Sequence, residues 1–317
     1  MEYKEQLNSR IIFNVHETRR KQKLFHKKIG KAWHSKKEYI AHFFSTRFGR
    51  KKTDHTKESV KKKDQTQSLT TPLHIPGKND SDNPGKLAVY TCVFGGYDTP
   101  KEPLIKSEYC DYYIITDVDV SDKSAWKRII PKQYPEGFET WHPAIKNRYY
   151  KMHPDELFPD YKYSLYIDGN IRPITDLYPF LIQMVNAGKI IGLFKHPICR
   201  DVYEMADMVK SEDLVNREEA EAQMNRYKNE SFPEQWGLFE CNFILRMHIN
   251  ERCKSVMHTW WQEYFHGEKR DQLSFTYALW KNGMQFSEVC CFGKNIRHNS
   301  RLKLREHNRP HSIVEQK

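Results

Sequence analysis

From residue 87 onward, short apolar runs alternate with longer segments of helical spacing, and this alternation constrains the fold more than any other feature of the chain. We predict strands over 87–94, 111–116, 126–130, 163–168, 189–194 and 239–247. We predict helices over 143–157, 176–187, 201–228 (as one or two helices), 251–265 and 271–281. This order is typical of an α/β/α sandwich built around a mostly parallel sheet.

Residues 1–86 differ from the rest of the chain in charge. They hold 21 of the 52 Lys and Arg residues but only 9 of the 41 Asp and Glu residues, so the net charge of +11 comes from this segment. Apolar residues at helical spacing predict a basic amphipathic helical segment over 1–50. Residues 51–86 are almost free of apolar residues, which predicts a flexible linker. A domain over 87–305 and a tail over 306–317 follow.

The composition also bears on location and partners. The seven cysteines form no CxxC pair, which argues against a zinc ribbon and fits reduced thiols in a cytoplasm. No run of about 18 apolar residues and no secretory signal are found. A basic amphipathic helix can lie on anionic lipid, so we expect a cytoplasmic protein held at the inner face of the membrane by residues 1–50. A helical hairpin packed on the domain or on another subunit, forming an oligomer, explains the segment equally well. Because the charge is confined to residues 1–86, we do not expect nucleic acid as the partner.

Asp168-Gly169-Asn170, at the end of a predicted strand, is the sharpest local feature. Residues i and i+2 of an extended segment point to the same side, so Asp168 and Asn170 can offer oxygen atoms to one cation. Such ligands suit Mg²⁺ or Mn²⁺. In open α/β sheets, ligands bind beyond the carboxyl ends of strands, where this tripeptide lies. A plain turn explains the same residues, because Asp-Gly and Gly-Asn are common in turns.

Two further motifs could contact a nucleotide. The loop FGGYD (residues 94–98) follows the first predicted strand; its glycines allow a ligand to approach the backbone, and the Tyr97 ring can stack on a base. Asn147, Arg148 and Lys151 lie on the predicted helix over 143–157, where cationic side chains can clamp a diphosphate. A tight turn and a solvated basic face are the competing explanations.

Other candidates come from the second half of the chain. The segment Arg270-Asp271-Gln272 is either a helix start, with Asp271 as N-cap and Arg270 just outside it, or a set of side chains that face sugar hydroxyls. His298 in the C-terminal segment could close a metal site from a distance. Further candidates, each with an ordinary surface or packing explanation, are His196, Glu204 and Glu240.

Taken in order, these motifs resemble a known family. The segments YTCVFGGYD, CDYYIITD, NRYYK, YSLYIDGNI and RDQLSFTYALWKNG, within residues 87–300, are similar to a family first catalogued as a domain of unknown function and now called glycosyltransferase-like, with plant and bacterial members. The family belongs to the wider GT-A superfamily. The resemblance implies a GT-A-like α/β/α sandwich that binds a nucleotide sugar.

The resemblance also implies roles for individual residues. Asp168 and Asn170 stand where the superfamily has its D-x-D metal motif, so Mn²⁺ or Mg²⁺ would bridge them to the donor diphosphate. Asn170 lacks one charge, so a weaker metal site and completion of the site by His298 both stay open. Nucleotide contacts are implied for Phe94, Gly95, Tyr97, Asp98, Thr116, Asp117, Asn147, Arg148 and Lys151.

The activity implied by the resemblance is transfer of a sugar from a nucleotide sugar, a UDP-sugar by superfamily precedent, to a hydroxyl of a glycan or lipid-linked acceptor in cell-envelope polysaccharide synthesis. The catalytic candidates are Asp271, Gln272 and Glu240. An inverting reaction needs a carboxylate base, Glu240 or Asp271, whereas a retaining reaction needs no dedicated base on some accounts. Leu273 replaces the second Asp of a related DQD pattern, so the stereochemistry stays open. The alternative is an adaptor that binds nucleic acid or a membrane through the basic segment, with a degenerate transferase domain.

Overall fold

A computed structural model describes residues 84–308, which hold two β-sheets and seven α-helices. The strands are β1 (Leu87–Val93), β2 (Cys110–Thr116), β3 (Lys127–Arg128), β4 (Tyr163–Ile167), β5 (Ile171–Pro173), β6 (Ile191–Lys195), β7 (Phe239–Arg246), β8 (Cys290–Cys291) and β9 (Leu302–Leu304). The helices are α1 (Pro143–Met152), α2 (Pro154–Leu157), α3 (Tyr178–Asn186), α4 (Val202–Ser211), α5 (Arg217–Asn229), α6 (Glu251–His266) and α7 (Phe275–Lys281). The predicted helical segment over 1–50, the predicted linker up to residue 83 and the tail beyond 308 lie outside the described residues.

The larger sheet has the strand order β3-β2-β1-β4-β7-β6-β8. Its pairs β1–β2, β1–β4, β2–β3 and β6–β8 are parallel, whereas β7 runs antiparallel to both of its neighbours. The predicted mostly parallel sheet is therefore confirmed. Because β7 is reversed, its first residues lie at the edge of the sheet where β1, β2 and β4 end.

Helices cover both faces of this sheet. The core on one face includes Tyr150 of α1, Trp260 of α6 and Ala278 of α7, and the core on the other face includes Leu181 of α3. Every residue of β1 is buried, as expected for a central strand covered on both sides. The predicted α/β/α sandwich is confirmed, and within residues 84–308 no helix is long and apolar enough to cross a membrane.

The structure corrects several predicted element boundaries. The helix predicted over 143–157 breaks at His153 (φ −121°, ψ 59°), because Pro154 lacks an N–H and disfavours the helical conformation of the residue before it. The helix predicted over 271–281 starts with a 3-10 turn (Asp271–Leu273), and α7 begins only at Phe275. The strand predicted over 126–130 is reduced to the two residues of β3. The short strands β5, β8 and β9 were not predicted.

Candidate active site

The predicted site segments meet at one edge of the large sheet. Asp117 and Asp168 follow β2 and β4 directly, and β7 contributes Glu240 and Asn242 from its beginning. The Asp168 N–H donates to the Asn242 carbonyl oxygen at 2.9 Å, which joins the end of β4 to the start of β7. Loops at the carboxyl ends of parallel strands form the usual ligand crevice of open α/β sheets.

The loop after β1 has a conformation that requires glycine. Gly95 and Gly96 have φ values of +63° and +62°, in the left-handed region. A Cβ atom on Gly95 would lie only 2.9 Å from Cγ of Pro143. The Gly95 N–H donates to Oδ2 of Asp117 at 2.8 Å, so Asp117 fixes the loop between β1 and the end of β2.

Two residues predicted to contact the nucleotide have buried side chains instead. The Phe94 ring packs in the core with its centroid 6.0 Å from that of Phe138 and 6.3 Å from that of Tyr150. Thr116 is also buried, and its Oγ1 accepts a hydrogen bond from the Val118 N–H at 3.3 Å. Both side chains serve the core and a local turn, so only their backbone is available to a ligand at this edge.

A buried ion cluster lies behind the end of β4. Oδ2 of Asp271 accepts from Lys151 Nζ at 2.6 Å and from Arg148 Nε at 3.0 Å, and Lys151 Nζ is also 3.8 Å from Oδ1 of Asp168. The Lys151 side chain is 1% exposed and that of Asp271 is 9% exposed. Burial opposes ionisation of Asp271, but the two cations outweigh it and hold the pKa of this carboxyl well below its usual range.

This cluster changes the interpretation of the residues predicted to clamp a diphosphate. Nδ2 of Asn147 donates to the Cys92 carbonyl oxygen, and Arg148 Nη1 donates to Oδ1 of Asn147 at 2.7 Å. With Arg148 and Lys151 also bound to Asp271, all three predicted clamp residues have partners within the protein. Arg148 and Asp271 are 123 residues apart in sequence, so no local pattern could pair them. Asp271 is correspondingly not an N-cap.

Arg270, which the sequence suggested only as the neighbour of a helix cap or as a contact to sugar hydroxyls, is the third cation of this group. The only hydrogen bond of its side chain to residues 84–308 is a long one, 3.5 Å from Nη2 to Oε1 of Gln272, and no carboxylate in that range lies within ion-pair distance of the guanidinium. Burial lowers the pKa of its guanidinium, and Asp271 partly offsets this effect. Arg148, the Glu212 carboxylate and Tyr97 are also close enough to interact with it electrostatically. Arg270 is thus a half-buried cation without an ion-pair partner among residues 84–308.

His307, and not His298, is the histidine beside Asn170. His298 is exposed at the end of the 3-10 turn Ile296–His298. Asn170 Nδ2 lies 3.2 Å from His307 Nε2 and donates to the Arg305 carbonyl oxygen at 2.9 Å. The Asp168 side chain is 23% exposed, so its carboxylate is accessible at the same edge.

His307 also joins the tripeptide to the loop after β1. Its Nδ1 lies 2.8 Å from Oδ2 of Asp98, whose side chain is only 6% exposed. This hydrogen bond raises the pKa of His307. The His307 ring centroid is 5.0 Å from that of Tyr97. Since His307 lies 137 residues from Asn170 in sequence and carries no motif, nothing in the sequence pointed to it.

Glu240 has an electrostatic environment opposite to that of Asp271. Its side chain is buried, and Oε2 accepts from Asn242 Nδ2 at 2.8 Å. Burial raises the pKa of Glu240, and the nearby Asp168 carboxylate raises it further. A carboxyl with a raised pKa is a better proton acceptor at neutral pH than one held ionised by two cations.

The remaining candidates have structural roles. His196 Nδ1 accepts from the Cys199 N–H at 2.9 Å, and burial lowers the pKa of His196 to about 4. Glu204 accepts from Arg200 Nε at 2.8 Å on the first turn of α4. Neither side chain belongs to the group around Asp168.

Comparison with known proteins gives a family. A family model described as TOD1/MUCI70, glycosyltransferase-like domain, matches residues 59–307. The match confirms the family predicted from the motifs and the predicted class of enzyme, a glycosyltransferase. No protein with curated function matches the sequence.

Solved glycosyltransferase structures resemble the domain remotely. The mannosyltransferase Ktr4p from S. cerevisiae is 16% identical with a TM-score of 0.37, over 66% of this chain and 68% of its own. Core-mannan synthase A from Aspergillus fumigatus, solved in a Mn/GDP form, is 12% identical with a TM-score of 0.38, over 65% and 72%. The bifunctional glycosyltransferase WbbM is matched over 66% of this chain but only 38% of its own. At these TM-scores, the likeness carries no argument about donor, metal or acceptor.

Proposed function

The chain belongs to the TOD1/MUCI70 glycosyltransferase-like family, and from this membership we propose a metal-dependent transferase that moves a sugar from a UDP-sugar to a hydroxyl of a glycan or lipid-linked acceptor. The observation that carries the proposal is the charge arrangement at the end of β4. The accessible Asp168 carboxylate lies beside a group of three cations, Arg148, Lys151 and Arg270, of which Asp271 pairs with the first two. Such a group favours a ligand that carries several negative charges.

The oxygen atoms of Asp168 and Asn170 fit a divalent cation that also binds the nucleotide sugar. Asp168 and the amide oxygen of Asn170 are hard oxygen ligands of the kind that Mg²⁺ and Mn²⁺ take. Within residues 84–308, no three His, Cys, Asp or Glu side chains are grouped to hold a metal ion by themselves. Mg²⁺ is commonly held by one or two carboxylates together with substrate phosphates. When bound here, the metal would supply neutralisation of the leaving diphosphate.

Arg270 has the properties of a contact to the donor diphosphate. It is the cation of the site without a carboxylate partner in the described chain, and Tyr97 of the predicted base-binding loop lies near it. A guanidinium offers several N–H donors in one plane, which match phosphate oxygens. Lys151 and Arg148 act differently, because they hold Asp271 in place and contribute their charge from behind.

Of the candidate bases, Glu240 suits an inverting reaction better than Asp271. A general base must be able to accept a proton near the working pH. The pKa of Glu240 is raised, chiefly by burial, whereas that of Asp271 is lowered by Lys151 and Arg148. Asn242 orients the Glu240 carboxylate by its hydrogen bond. We therefore propose Glu240 as the group that takes the acceptor proton if the product has inverted configuration.

The test is thermal stabilisation of the full-length protein by UDP, GDP and CDP, each with Mn²⁺ or with EDTA. A ligand at 100 times its Kd adds about 2.7 kcal/mol to the free energy of unfolding. For a domain of this size, that is a rise in Tm of about 5–10 °C. We expect UDP with Mn²⁺ to give this rise and Asp168→Asn to abolish it.

Asp119→Asn is the matched control, because Asp119 is fully exposed and pairs only with Arg128 in the described chain. This variant should respond to UDP like the unmodified protein. Stabilisation by GDP or CDP instead of UDP would show that the nucleotide sugar carries a different base. A folded protein that responds to no nucleotide would instead support the degenerate domain, and the proposal would fail.

A further inference from the structure

The last described residues cross the candidate site as a strap, which we define as residues 302–308. Its first part is β9, which pairs with β5 just after Asn170. The pairing continues in a hydrogen bond from the Arg305 N–H to the Asn170 carbonyl oxygen at 3.0 Å. The strap then reaches the loop after β1, where the Asn308 N–H donates to Oδ1 of Asp98 at 3.2 Å and Asn308 Nδ2 donates to Oγ1 of Thr99 at 2.9 Å. One short segment thus joins the two loops that the site depends on.

Both N–H groups of the Asn170 side-chain amide point to this strap. Nδ2 has two hydrogen atoms; one points to the Arg305 carbonyl oxygen at 2.9 Å and the other to His307 Nε2 at 3.2 Å. The Asp98 carboxylate can only accept, so the His307 ring donates from Nδ1 to Asp98, and in the tautomer with an unprotonated Nε2 it accepts there from Asn170. The hydrogen-bond directions are therefore consistent along Asn170, His307 and Asp98.

Aspartate at position 170 could not donate to the Arg305 carbonyl oxygen. A carboxylate has no N–H, so it would place two acceptors against each other where Asn170 now makes a hydrogen bond of 2.9 Å. The space around the tripeptide is also tight, because a Cβ on Gly169 would lie 2.9 Å from Cγ2 of Val93 and 3.0 Å from Cβ of Asp98. The backbone next to Asn170 is therefore packed closely against the end of β1 and against Asp98.

We propose that Asn170 is a positioning residue whose amide fastens the strap over the site, and that this requirement accounts for an amide where the superfamily pattern has a carboxylate. The His307 ring packs against Tyr97, so the strap also fixes the Tyr97 ring on which we expect the nucleotide base to stack. This consequence rests on the proposed function. The same side chain keeps its oxygen for a cation, so fastening the strap and binding a metal do not compete for one atom.

The experiment compares amide hydrogen exchange of residues 302–308 in the full-length protein and in Asn170→Asp, without ligand. Loss of the hydrogen bond to the Arg305 carbonyl oxygen should raise exchange of the Arg305 and Asn308 amides about fivefold. Asn299→Asp is the matched control, because Asn299 uses only its side-chain oxygen, which accepts from the Arg301 N–H at 2.9 Å. It makes the same chemical change three residues before the strap and should leave exchange unchanged.

A second variant keeps the proposal testable if Asn170→Asp does not fold. His307→Phe retains a ring against Tyr97 but removes both nitrogens, and it should loosen the strap in the same way. Unchanged exchange of the strap in the folded variants would overturn the proposal.

The affinity for UDP with Mn²⁺ is a second readout, which tests whether the fastened strap contributes to nucleotide binding. Fastening predicts at least about threefold weaker UDP binding in Asn170→Asp and unchanged binding in Asn299→Asp. Tighter binding with Mn²⁺ and an unchanged strap would mean that residue 170 acts through the cation only, against the proposal. Faster amide exchange in Asn170→Asp, without UDP binding by any variant, would support the fastening of the strap by Asn170 and refute the proposed UDP-sugar transferase.

Discussion

Replacing Lys151 by methionine tests whether the buried ion cluster is a structural requirement of the site. Lys151 is 1% exposed and Asp271 is 9% exposed, so little water can replace the lost ammonium. Removing one partner of a buried ion pair costs about 3–5 kcal/mol, because the other charge is left without full compensation. Arg148 still contacts Asp271, so we expect the lower part of this range. For a domain of this size, the Tm should fall by about 6–12 °C at pH 7.

The assay is thermal unfolding by circular dichroism from pH 7 to pH 4. The pKa of Asp271 is lowered in the folded protein, so its ionised form stabilises the fold above its ordinary pKa and loses this effect as the pH falls through the folded value. Without Lys151 the pKa of Asp271 rises, and protonation can relieve the uncompensated charge. The difference in Tm between variant and parent should therefore narrow toward pH 4.

Two controls separate this effect from the loss of any lysine. Lys254→Met removes an exposed lysine that pairs with Glu251, and surface pairs of this kind contribute at most about 1 kcal/mol. Lys151→Met combined with Asp271→Asn also leaves Arg148 without its carboxylate partner, so it should destabilise the fold further than Lys151→Met alone. If Lys151→Met lowers the free energy of unfolding by less than about 1 kcal/mol, the reasoning is refuted, because the pair then contributes no more than an exposed surface pair.

Three further predictions concern the loop, the base and the basic segment. Gly95→Ala should lower the free energy of unfolding by about 1–3 kcal/mol and abolish stabilisation by UDP in a melting experiment, because its Cβ clashes with Pro143. Gly188→Ala is the control: nothing lies within 4 Å of its Cβ, so its response to UDP should be intact. Glu240→Gln should raise the Tm at pH 7, since burial raises the pKa of Glu240 and its ionised form destabilises the fold there, yet it should abolish transfer by an inverting enzyme in a sugar-release assay. The full-length protein should float with vesicles that contain phosphatidylserine, and neutralising the basic residues of segment 1–50 should prevent this; flotation with neutral vesicles alone would contradict an electrostatic attachment.

The sheet could be predicted because its signals are local. The fully apolar run of β1 and the glycines after it mark a buried strand and a turn within ten residues. The same holds for the end of β4, where Asp168 and Asn170 stand together in sequence. The reversal of β7 was not predictable, because a buried strand has the same composition in either direction, yet this reversal brings Glu240 to the site.

The contacts between the site residues could not be predicted from the sequence, for a different reason. Lys151 and Arg148 suggested a free phosphate clamp, but a cation has the same appearance in sequence whether it binds a ligand or a buried carboxylate. Only the three-dimensional structure showed that Asp271 pairs with both of them and that Arg270 has no carboxylate partner among residues 84–308. His307 was overlooked because a single histidine in a polar segment carries no periodicity or spacing.

The distances in sequence that the strap and the ion cluster bridge have a consequence for folding. Asp98 and His307 are 209 residues apart, and Lys151 and Asp271 are 120 residues apart. Closing such long loops is entropically unfavourable, and contacts of this kind tend to form late, after local strand and helix pairs. A partly folded chain could therefore contain most of the sheet and still lack the crevice. Recovery of nucleotide binding during refolding should trail recovery of secondary structure, so the ligand would report the final step of folding.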